Sequence, residues 1–473
     1  MEPDPRRWQA LGLVCVAFFM TVLDVSIVNV ALPSIAKSLH FSETGQQWVI
    51  TAYAITFGGF LLLGGRAGDI LGRKRMFLTG LVIFSAASLV CGLATSTGML
   101  IGARAAQGFG AAIVSPSTLS IITTTFEEGA ERNKALGIWG AMGGSGAAAG
   151  VLFGGLLTKY AGWEWIFFVN VPVGALVLLL APRVVRESRA PDLGRSFDLV
   201  GAGSVTAGLA LLVYAISKAP ADGWGNGTTI GLLIGAAALI TFFLVWESRV
   251  SQPLMPLSIF RIRTLAGANV VGVLLGASVF ANFFLLTLYV QNVLHFSALK
   301  TGVTFLATAG TTVVVAALAQ WLTTKIGPRI VMALGLALST AGLIWYAQIP
   351  VHGTYVHDLL PGYLLVGFGL ALSFIPVSIA ALAGVGPREA GLASGLLNTS
   401  QQVGGAIGVA VASTVAFTHA NHLLRTGHSA AEALTSGYSL AFWVVAGISA
   451  AGVVAALTLI RDDQVPAVES VTA

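Results

Sequence analysis

Fourteen apolar stretches, each long enough to cross a lipid bilayer, follow one another along the chain with short polar or glycine-containing breaks between them. They are read at 9–32, 47–65, 76–95, 98–122, 135–157, 163–182, 198–217, 228–247, 264–290, 301–323, 328–349, 357–384, 391–418 and 437–460. A membrane-crossing helix needs about 20 apolar residues. Inside hydrocarbon the backbone must satisfy its own hydrogen bonds, so this pattern folds as a bundle of spanning helices. The composition agrees. Of 473 residues, 56% are hydrophobic and 10% are charged, where a soluble domain carries about 25% charged residues. A soluble globular protein, a disordered chain and a disulfide scaffold are thereby excluded. The two cysteines, Cys15 and Cys91, lie in apolar runs and read as packing residues.

The basic residues set the orientation. With the N-terminus in the cytoplasm, nineteen lysines and arginines, from Arg6 and Arg7 to Arg461, fall on the inner face. Five fall outside, Lys37, Lys159, Lys218, Lys300 and Arg425, and Arg104 is left inside the membrane. This is the positive-inside asymmetry. An odd number of spans would mix the two sets, so both termini are expected in the cytoplasm. The same asymmetry accounts for the net charge of +5 without a nucleic-acid partner. Arg6 and Arg7 ahead of an apolar run look like the start of a signal peptide, but no small-residue cleavage site follows and the run continues through Asp24 to Pro33. It is read as an uncleaved first span.

Two basic connections, 183–197 and 248–263, divide the spans into six, two and six. The expected organisation is a six-helix bundle over 1–190, a two-helix insertion over 191–255, a second six-helix bundle over 256–462 and a cytoplasmic tail over 463–473. The two bundles look like a degenerate parallel repeat of the kind found in transporters. Gly65–Arg75, after the second span, aligns with Thr324–Arg329, after the tenth. Asp69 then stands opposite Thr324, Gly72 opposite Gly327 and Lys74 opposite Arg329.

The loop Gly65–Arg75 is the most specific signal. Its glycines permit a tight turn between helix ends. Asp69 can pair with a basic neighbour or with a helix N-terminus. A plain anchor of positive charge needs less than G-x-x-x-D-x-x-G-R-K, so Gly65, Asp69, Gly72, Arg73 and Lys74 are read as a conformational latch.

This loop resembles the signature of the major facilitator superfamily. Other segments are similar to its fourteen-helix drug:proton antiporter branch: Leu23-Asp24-Val25-Ser26-Ile27-Val28-Asn29-Val30-Ala31-Leu32-Pro33, Arg104-Ala105-Ala106-Gln107-Gly108-Phe109-Gly110, the run from Gly146 to Gly155, the run from Trp163 to Pro172, Phe197-Asp198-Leu199 and Pro253-Leu254-Met255-Pro256. The resemblance covers nearly the whole chain. It implies an all-α membrane protein of the major facilitator fold, two six-helix bundles plus two additional helices packed outside them. It implies a secondary exporter of lipophilic drugs or antibiotics in exchange for protons, with alternating access around a central cavity. A proton gradient then stands in place of a cofactor. The partners are a small lipophilic substrate, protons and the lipid bilayer, and the protein is a monomer of the plasma (inner) membrane. No G-x-x-x-x-G-K-[ST] phosphate loop occurs, and neither a catalytic nor a metal site is expected. The alternative is a proton-coupled nutrient or metabolite importer on the same fold, although importers of the family usually have twelve spans. A non-transporting sensor or scaffold is the other rival.

An acid within a membrane span costs roughly 2.5–3.5 kcal/mol on insertion scales, which makes Asp24 a functional residue by default. Its natural partner is Arg104. Measured from the outer span ends, the two lie roughly 13 and 9 Å deep, and the resemblance places the first and fourth helices beside one cavity. An ion pair favours the charged acid and a dry setting the neutral one, so a conformational change that alters either moves a proton. A static pair that fixes helix packing is the competing reading. Asn29 lies about 140° around the helix from Asp24, so one of the two faces a neighbouring helix instead of the cavity.

Gly146, Gly150 and Gly154 recur every four residues in the fifth span, followed by Gly155. Small residues at this spacing let helix backbones approach and pivot. The family pattern has a proline after the second glycine; here it is Val151, which implies a straighter helix. Polar stripes mark the ninth span (Ser278, Asn282, Tyr289), the tenth (Thr301, Thr304, Thr308, Thr312) and the thirteenth (Ser394, Asn398, Gln401, Gly405, with Gln402 beside them). Such stripes face a wet path or hydrogen-bond between helices. The cavity candidates are Asn29, Tyr53, Gln107, Asn282, Tyr289, Asn398 and Gln401. Apart from Asp24, the acids nearest the membrane, Glu164, Asp198 and Glu247, sit at span ends. One carboxylate cannot offset two charges, so neutral, zwitterionic or monocationic compounds are expected over dications. His419 and His422, three residues apart, read as a solvated loop.

Overall fold

Every apolar stretch becomes a helix. The computed structural model describes residues 5–41, 47–189, 198–251, 253–386 and 389–460. Among the described residues, fourteen helices are long and apolar enough to cross a membrane, and no strand occurs. The first six spans are Arg7–Ser38, Gln47–Leu71, Arg73–Gly92, Thr97–Thr125, Ala130–Tyr160 and Trp165–Val184. The seventh and eighth are Leu199–Asp222 and Gly227–Glu247. The last six are Arg263–Leu288, Ala298–Ile326, Pro328–Tyr346, Leu360–Leu382, Ala390–Arg425 and Ala430–Leu459. The first helix was expected to end near residue 33. It runs on to Ser38, because Ile35 beyond that point is fully buried and extends the packed face. Arg195, Phe197, Arg388, Arg461, the expected boundary at 190/191 and the tail at 463–473 lie outside the described residues.

Side-chain caps start several spans. Ser96, Asp198, Asn226 and Ser297 each accept a backbone N–H of the first turn. Ser429 and Glu432 form a reciprocal capping box at the last span.

The sixfold halves pack alike. The first span lies on the fifth, the second and third on the fourth; correspondingly the ninth lies on the thirteenth, the tenth and eleventh on the twelfth. Glycines make these approaches possible. A Cβ at Gly64 would strike the Ala112 carbonyl, and one at Gly276 the Gln401 carbonyl. The halves meet along the fifth and tenth spans and between the second and thirteenth. Gly155 rests on Leu299 and Gly302 on Val151 across the first of these contacts. The seventh span packs on the second and thirteenth. Trp48 stacks on Tyr214 with centroids 5.6 Å apart, and Trp224 donates to Thr414 Oγ1 at 2.8 Å. The insertion thus lies over one seam between the halves, while its eighth span is largely exposed on the outside.

Candidate functional site

The first span delivers Asp24 into the middle of the N-terminal half, where it is fully buried. Three side chains donate to it: Arg104 Nη1 to Oδ2 at 2.6 Å, Gln107 Nε2 to Oδ1 at 2.8 Å and Asn170 Nδ2 to Oδ1 at 3.0 Å. Gln107 and Asn170 also donate to Ser88 Oγ, at 3.1 and 3.0 Å, and Ser88 donates to the Phe167 carbonyl. Arg104 donates through Nη1 to Gln107 Oε1 at 2.7 Å and through Nε to the Val49 carbonyl at 3.0 Å. The network therefore ties the first, second, third, fourth and sixth spans together in a dry interior. Removing the charge from Asp24 without rearrangement would strand a buried guanidinium, at a cost of about 3–5 kcal/mol.

A cavity of about 260 Å³ lies between the halves. It is lined by the first, second, fourth and fifth spans on one side and by the ninth to thirteenth on the other, and no charged residue belongs to its wall. Aromatic rings dominate, among them Phe18, Phe57, Phe280 and Phe374. Trp139 stacks under Phe18 at 4.2 Å and faces Phe374 at 6.2 Å. Asn29, Tyr53, Asn282, Asn398 and Gln401 line the cavity, as does Gln402. Asp24 and Arg104 do not. The 140° separation on the first helix is resolved with Asn29 toward the cavity and Asp24 away from it.

Two candidates are placed elsewhere. Gln107 is fully buried in the Asp24 network, because its amide is the one group there that can accept from Arg104 while donating to Asp24 and Ser88. Tyr289 begins a π-helical turn, Tyr289–Val293, and its hydroxyl donates to the Pro350 carbonyl at 2.6 Å. Its ring belongs to a separate apolar cluster of the C-terminal half. The threonine stripe divides. Thr308 and Thr312 line the cavity, whereas Thr304 shares a hydrogen bond with the Tyr363 hydroxyl at 2.9 Å and Thr301 bonds its own helix. Ser278 and Ser394 do the same.

Three polar atoms of cavity-wall residues are buried without a partner, Tyr53 Oη, Asn282 Oδ1 and Gln401 Nε2. Asn398, by contrast, accepts from Ser115 at 3.0 Å and donates to the Ser394 carbonyl at 2.8 Å, a link between the fourth and thirteenth spans. The cavity therefore combines a few polar side chains with an apolar and aromatic shell.

The loop after the second span meets the thirteenth. Asp69, fully buried, accepts from Arg73 Nη2 at 2.7 Å and from the backbone N–H groups of Gly391 and Leu392, both at 3.0 Å. Those are the exposed donors of a helix N-terminus, where negative charge is favoured. Gly65 lies directly against the Gly391 carbonyl, closer than any side chain would allow. Gly72 has φ +112°, and its repeat counterpart Gly327 has φ +85°; both break a helix in a region that L side chains rarely adopt. At the repeat counterpart of Asp69, Thr324 accepts from Asn133 at 3.2 Å, near the start of the fifth span. Lys74 Nζ donates to the Pro182 carbonyl at 2.6 Å. Glu187 accepts from the backbone of Lys74 and Arg75 at 3.1 and 3.2 Å.

Gly146, Gly150 and Gly154 lie on the first span, over Phe19, Leu23 and Ile27 in turn. The first span is thus held between the glycine face of the fifth and the polar network around Asp24.

Sequence reasoning left out Ser88, Asn170, Glu187, Gly391 and Leu392. Asn170 stood within a quoted motif, and its position one turn from the outer end of the sixth span was the available signal. Leu392 contributes only its backbone N–H, which leaves no mark in side-chain identity, whereas Gly391 must be small because a Cβ there would strike the Gly65 carbonyl and the Asp69 carboxylate.

Comparison with known proteins gives a consistent result. The family model described as Major Facilitator Superfamily matches residues 14–409. The puromycin resistance protein pur8 of Streptomyces alboniger is 40% identical, over 94% of this chain and 90% of its own length. The cephamycin export protein CmcT of Amycolatopsis lactamdurans is 40% identical over 86% and 84%. The tetracenomycin C resistance and export protein of Streptomyces glaucescens is 34% identical over 86% and 75%. In structure, the chain superposes on the human organic anion transporter MFSD10 (TETRAN) with a TM-score of 0.68 at 16% identity, covering 96% of this chain and all of that one. That likeness concerns the fold.

Proposed function

Because the chain belongs to the major facilitator superfamily, a family of membrane transporters and not of enzymes, we propose that it exports a lipophilic antibiotic or drug in exchange for protons. In this reading Asp24 and Arg104 couple the proton, the cavity between the halves holds the substrate, and the contact of Asp69 with Gly391 and Leu392 closes the cytoplasmic side. The protein acts as a monomer in the plasma (inner) membrane, with both termini in the cytoplasm. The outward direction rests on the relatives named for puromycin resistance, cephamycin export and tetracenomycin C resistance and export.

The observation that carries the coupling is the place of Tyr53. Tyr53 lines the cavity, and the guanidinium of Arg104, which does not, lies 4.3 Å from the centroid of its ring. A single side chain separates substrate from ion pair. Protonation of Asp24 frees Arg104 to shift, and Arg104 bears on the second span through Val49 and Tyr53. The same helix carries Gly65 and Asp69 at its cytoplasmic end. One element thereby joins proton site, cavity wall and latch.

The uncharged wall suits a neutral or singly charged compound, since a desolvated second charge would have no counter-ion. The side-chain amides of Asn282 and Gln401 add polar character for polar groups on an aromatic or aliphatic frame. With one pH unit and 100 mV, an entering proton supplies about 1.4 plus 2.3 kcal/mol, which sustains roughly a 500-fold gradient of a neutral solute at one proton per molecule.

The test is efflux from proteoliposomes under an imposed pH gradient, comparing the wild type with Asp24→Asn on a panel of neutral and cationic lipophilic compounds. Gradient-driven movement that disappears in the variant supports antiport through Asp24. Movement that survives moves the coupling elsewhere, and accumulation against the expected direction makes the protein an importer.

A further inference from the structure

At the cytoplasmic end of the two-helix insertion, two acids that the transport reading does not use lie against each other. Asp198 caps the seventh span and Glu247 ends the eighth. Both carboxyl groups crowd the α-carbon of Gly201, which leaves them the room a side chain would fill. Asp198 Oδ2 and Glu247 Oε1 both lie where a Cβ on Gly201 would sit, which makes the two carboxyl groups near neighbours. Glu247 is 4% exposed.

Their other partners are unevenly shared. Asp198 accepts from Gly201 N–H at 2.8 Å and from Trp246 Nε1 at 2.9 and 3.0 Å. Glu247 Oε2 accepts from Met255 N–H at 3.0 Å. Glu247 Oε1, buried, has no hydrogen-bond partner, although the backbone N–H of Leu254 also faces this carboxylate. Two ionised carboxylates in contact repel and cannot both hold their charge. A buried acceptor without a donor is also costly. One proton on Glu247 Oε1, donated to Asp198, removes both difficulties and leaves every other bond as it stands.

We propose that Asp198 and Glu247 share one proton and form a second proton-binding site, separate from Asp24, at the cytoplasmic end of the insertion. The charged group facing the pair from the neighbouring helix is Arg66 of the second span, itself within electrostatic reach of Asp69 and Glu389. Arg66 is 7% exposed and donates Nη2 to the Pro253 carbonyl at 3.2 Å, while its Nε has no partner. Loss of the shared proton places a second negative charge beside this guanidinium and draws it from Pro253, the start of the link into the C-terminal half. Arg66 stands three residues before Asp69. The site thus reports the proton content of the insertion to the contact that joins the two halves, whatever the substrate.

Infrared difference spectroscopy of the full chain in lipid nanodiscs, titrated from neutral to alkaline pH, reads the proton directly. The wild type is expected to show the carbonyl stretch of a protonated carboxylic acid at neutral pH and to lose it on titration. The band moves when glutamate is labelled with carbon-13, is absent from Glu247→Gln and persists in Asp24→Asn. Asp198→Asn removes the charge that holds the proton on Glu247 and supplies an N–H donor to Oε1, so there the band is expected to disappear at a lower pH than in the wild type; this variant serves if Glu247→Gln does not fold. A wild type without the band, a band indifferent to glutamate labelling, or one lost only in Asp24→Asn overturns the proposal. None of these readings depends on transport, so failure of the exporter reading would leave this result standing.

Discussion

The guanidinium of Arg104 sits 4.3 Å from the centroid of the Tyr53 ring, and Tyr53 lines the cavity whereas Arg104 does not. The proton-coupling candidate and the substrate space are therefore neighbours through a shared wall, and they do not share a chamber. A substrate has no direct path to Asp24 in this arrangement. In the proposed antiport, coupling passes through the position of the second span.

That relationship makes the ring, and not the hydroxyl, the important part of Tyr53. The hydroxyl has no hydrogen-bond partner. Tyr53→Phe is expected to keep substrate-dependent proton flux within about twofold of wild type, because the cation–π contact, worth about 0.5–2 kcal/mol, survives. Tyr53→Leu is expected to bind substrate and dissipate the gradient without it. Proton flux in proteoliposomes with and without substrate separates the two.

Arg104→Lys preserves charge but not geometry. A lysine cannot donate to Asp24, Gln107 and the Val49 carbonyl at once from a planar fork. Gradient-driven export is expected to be lost, with a stability cost of about 1–3 kcal/mol from the donors and acceptors left unpaired. Thermal unfolding in detergent and efflux measured on the same preparation check both parts.

Asp69→Asn weakens the contact between the halves. The amide keeps one acceptor oxygen and turns its NH₂ toward the N–H of Gly391 or Leu392. Loss of a charged cap at a helix N-terminus costs about 1–2 kcal/mol. Spin labels at the exposed positions Leu71 and Gly386 should then show a larger population at long distance by pulsed electron resonance. An unchanged distribution would deny Asp69 a latch role.

Two glycines of the fifth span should respond in opposite ways to alanine. A methyl group at Gly150 would meet the Ser26 hydroxyl and the Leu23 carbonyl, the latter at 2.7 Å. Gly150→Ala is expected to destabilise the protein by about 1–3 kcal/mol through overpacking. A methyl at Gly143 meets only Phe18 and Phe374 at 3.8 Å, at the cavity wall. Gly143→Ala should leave the unfolding temperature unchanged and reduce the export of the bulkiest substrates.

Gln401→Leu removes a donor that nothing in the protein uses. Substrate affinity is expected to fall about tenfold, near 1.4 kcal/mol, with no loss of thermal stability. Equilibrium binding of an exported compound provides the measurement.

The number of spans, Asp24 as a buried acid and the matching glycines Gly72 and Gly327 were all legible in the amino-acid sequence. Each depends on a local property, such as apolar length, charge, or a backbone angle that only glycine readily adopts. Facing and partnership were not legible in the same way. Gln107 carries the same amide as Gln401, yet one is sealed against Asp24 and the other opens to the cavity. Tyr289 shares a helical stripe with Asn282 but lies past the start of a π-helical turn, in another apolar cluster. Asp69 finds its backbone partners more than 300 residues along the chain. The sequence by itself determined that the chain crosses the membrane fourteen times and carries one acid and one base within it. Only the tertiary structure decided that this pair stands behind the cavity wall, because which side a helix shows to its neighbours is settled by packing between segments that no local pattern connects.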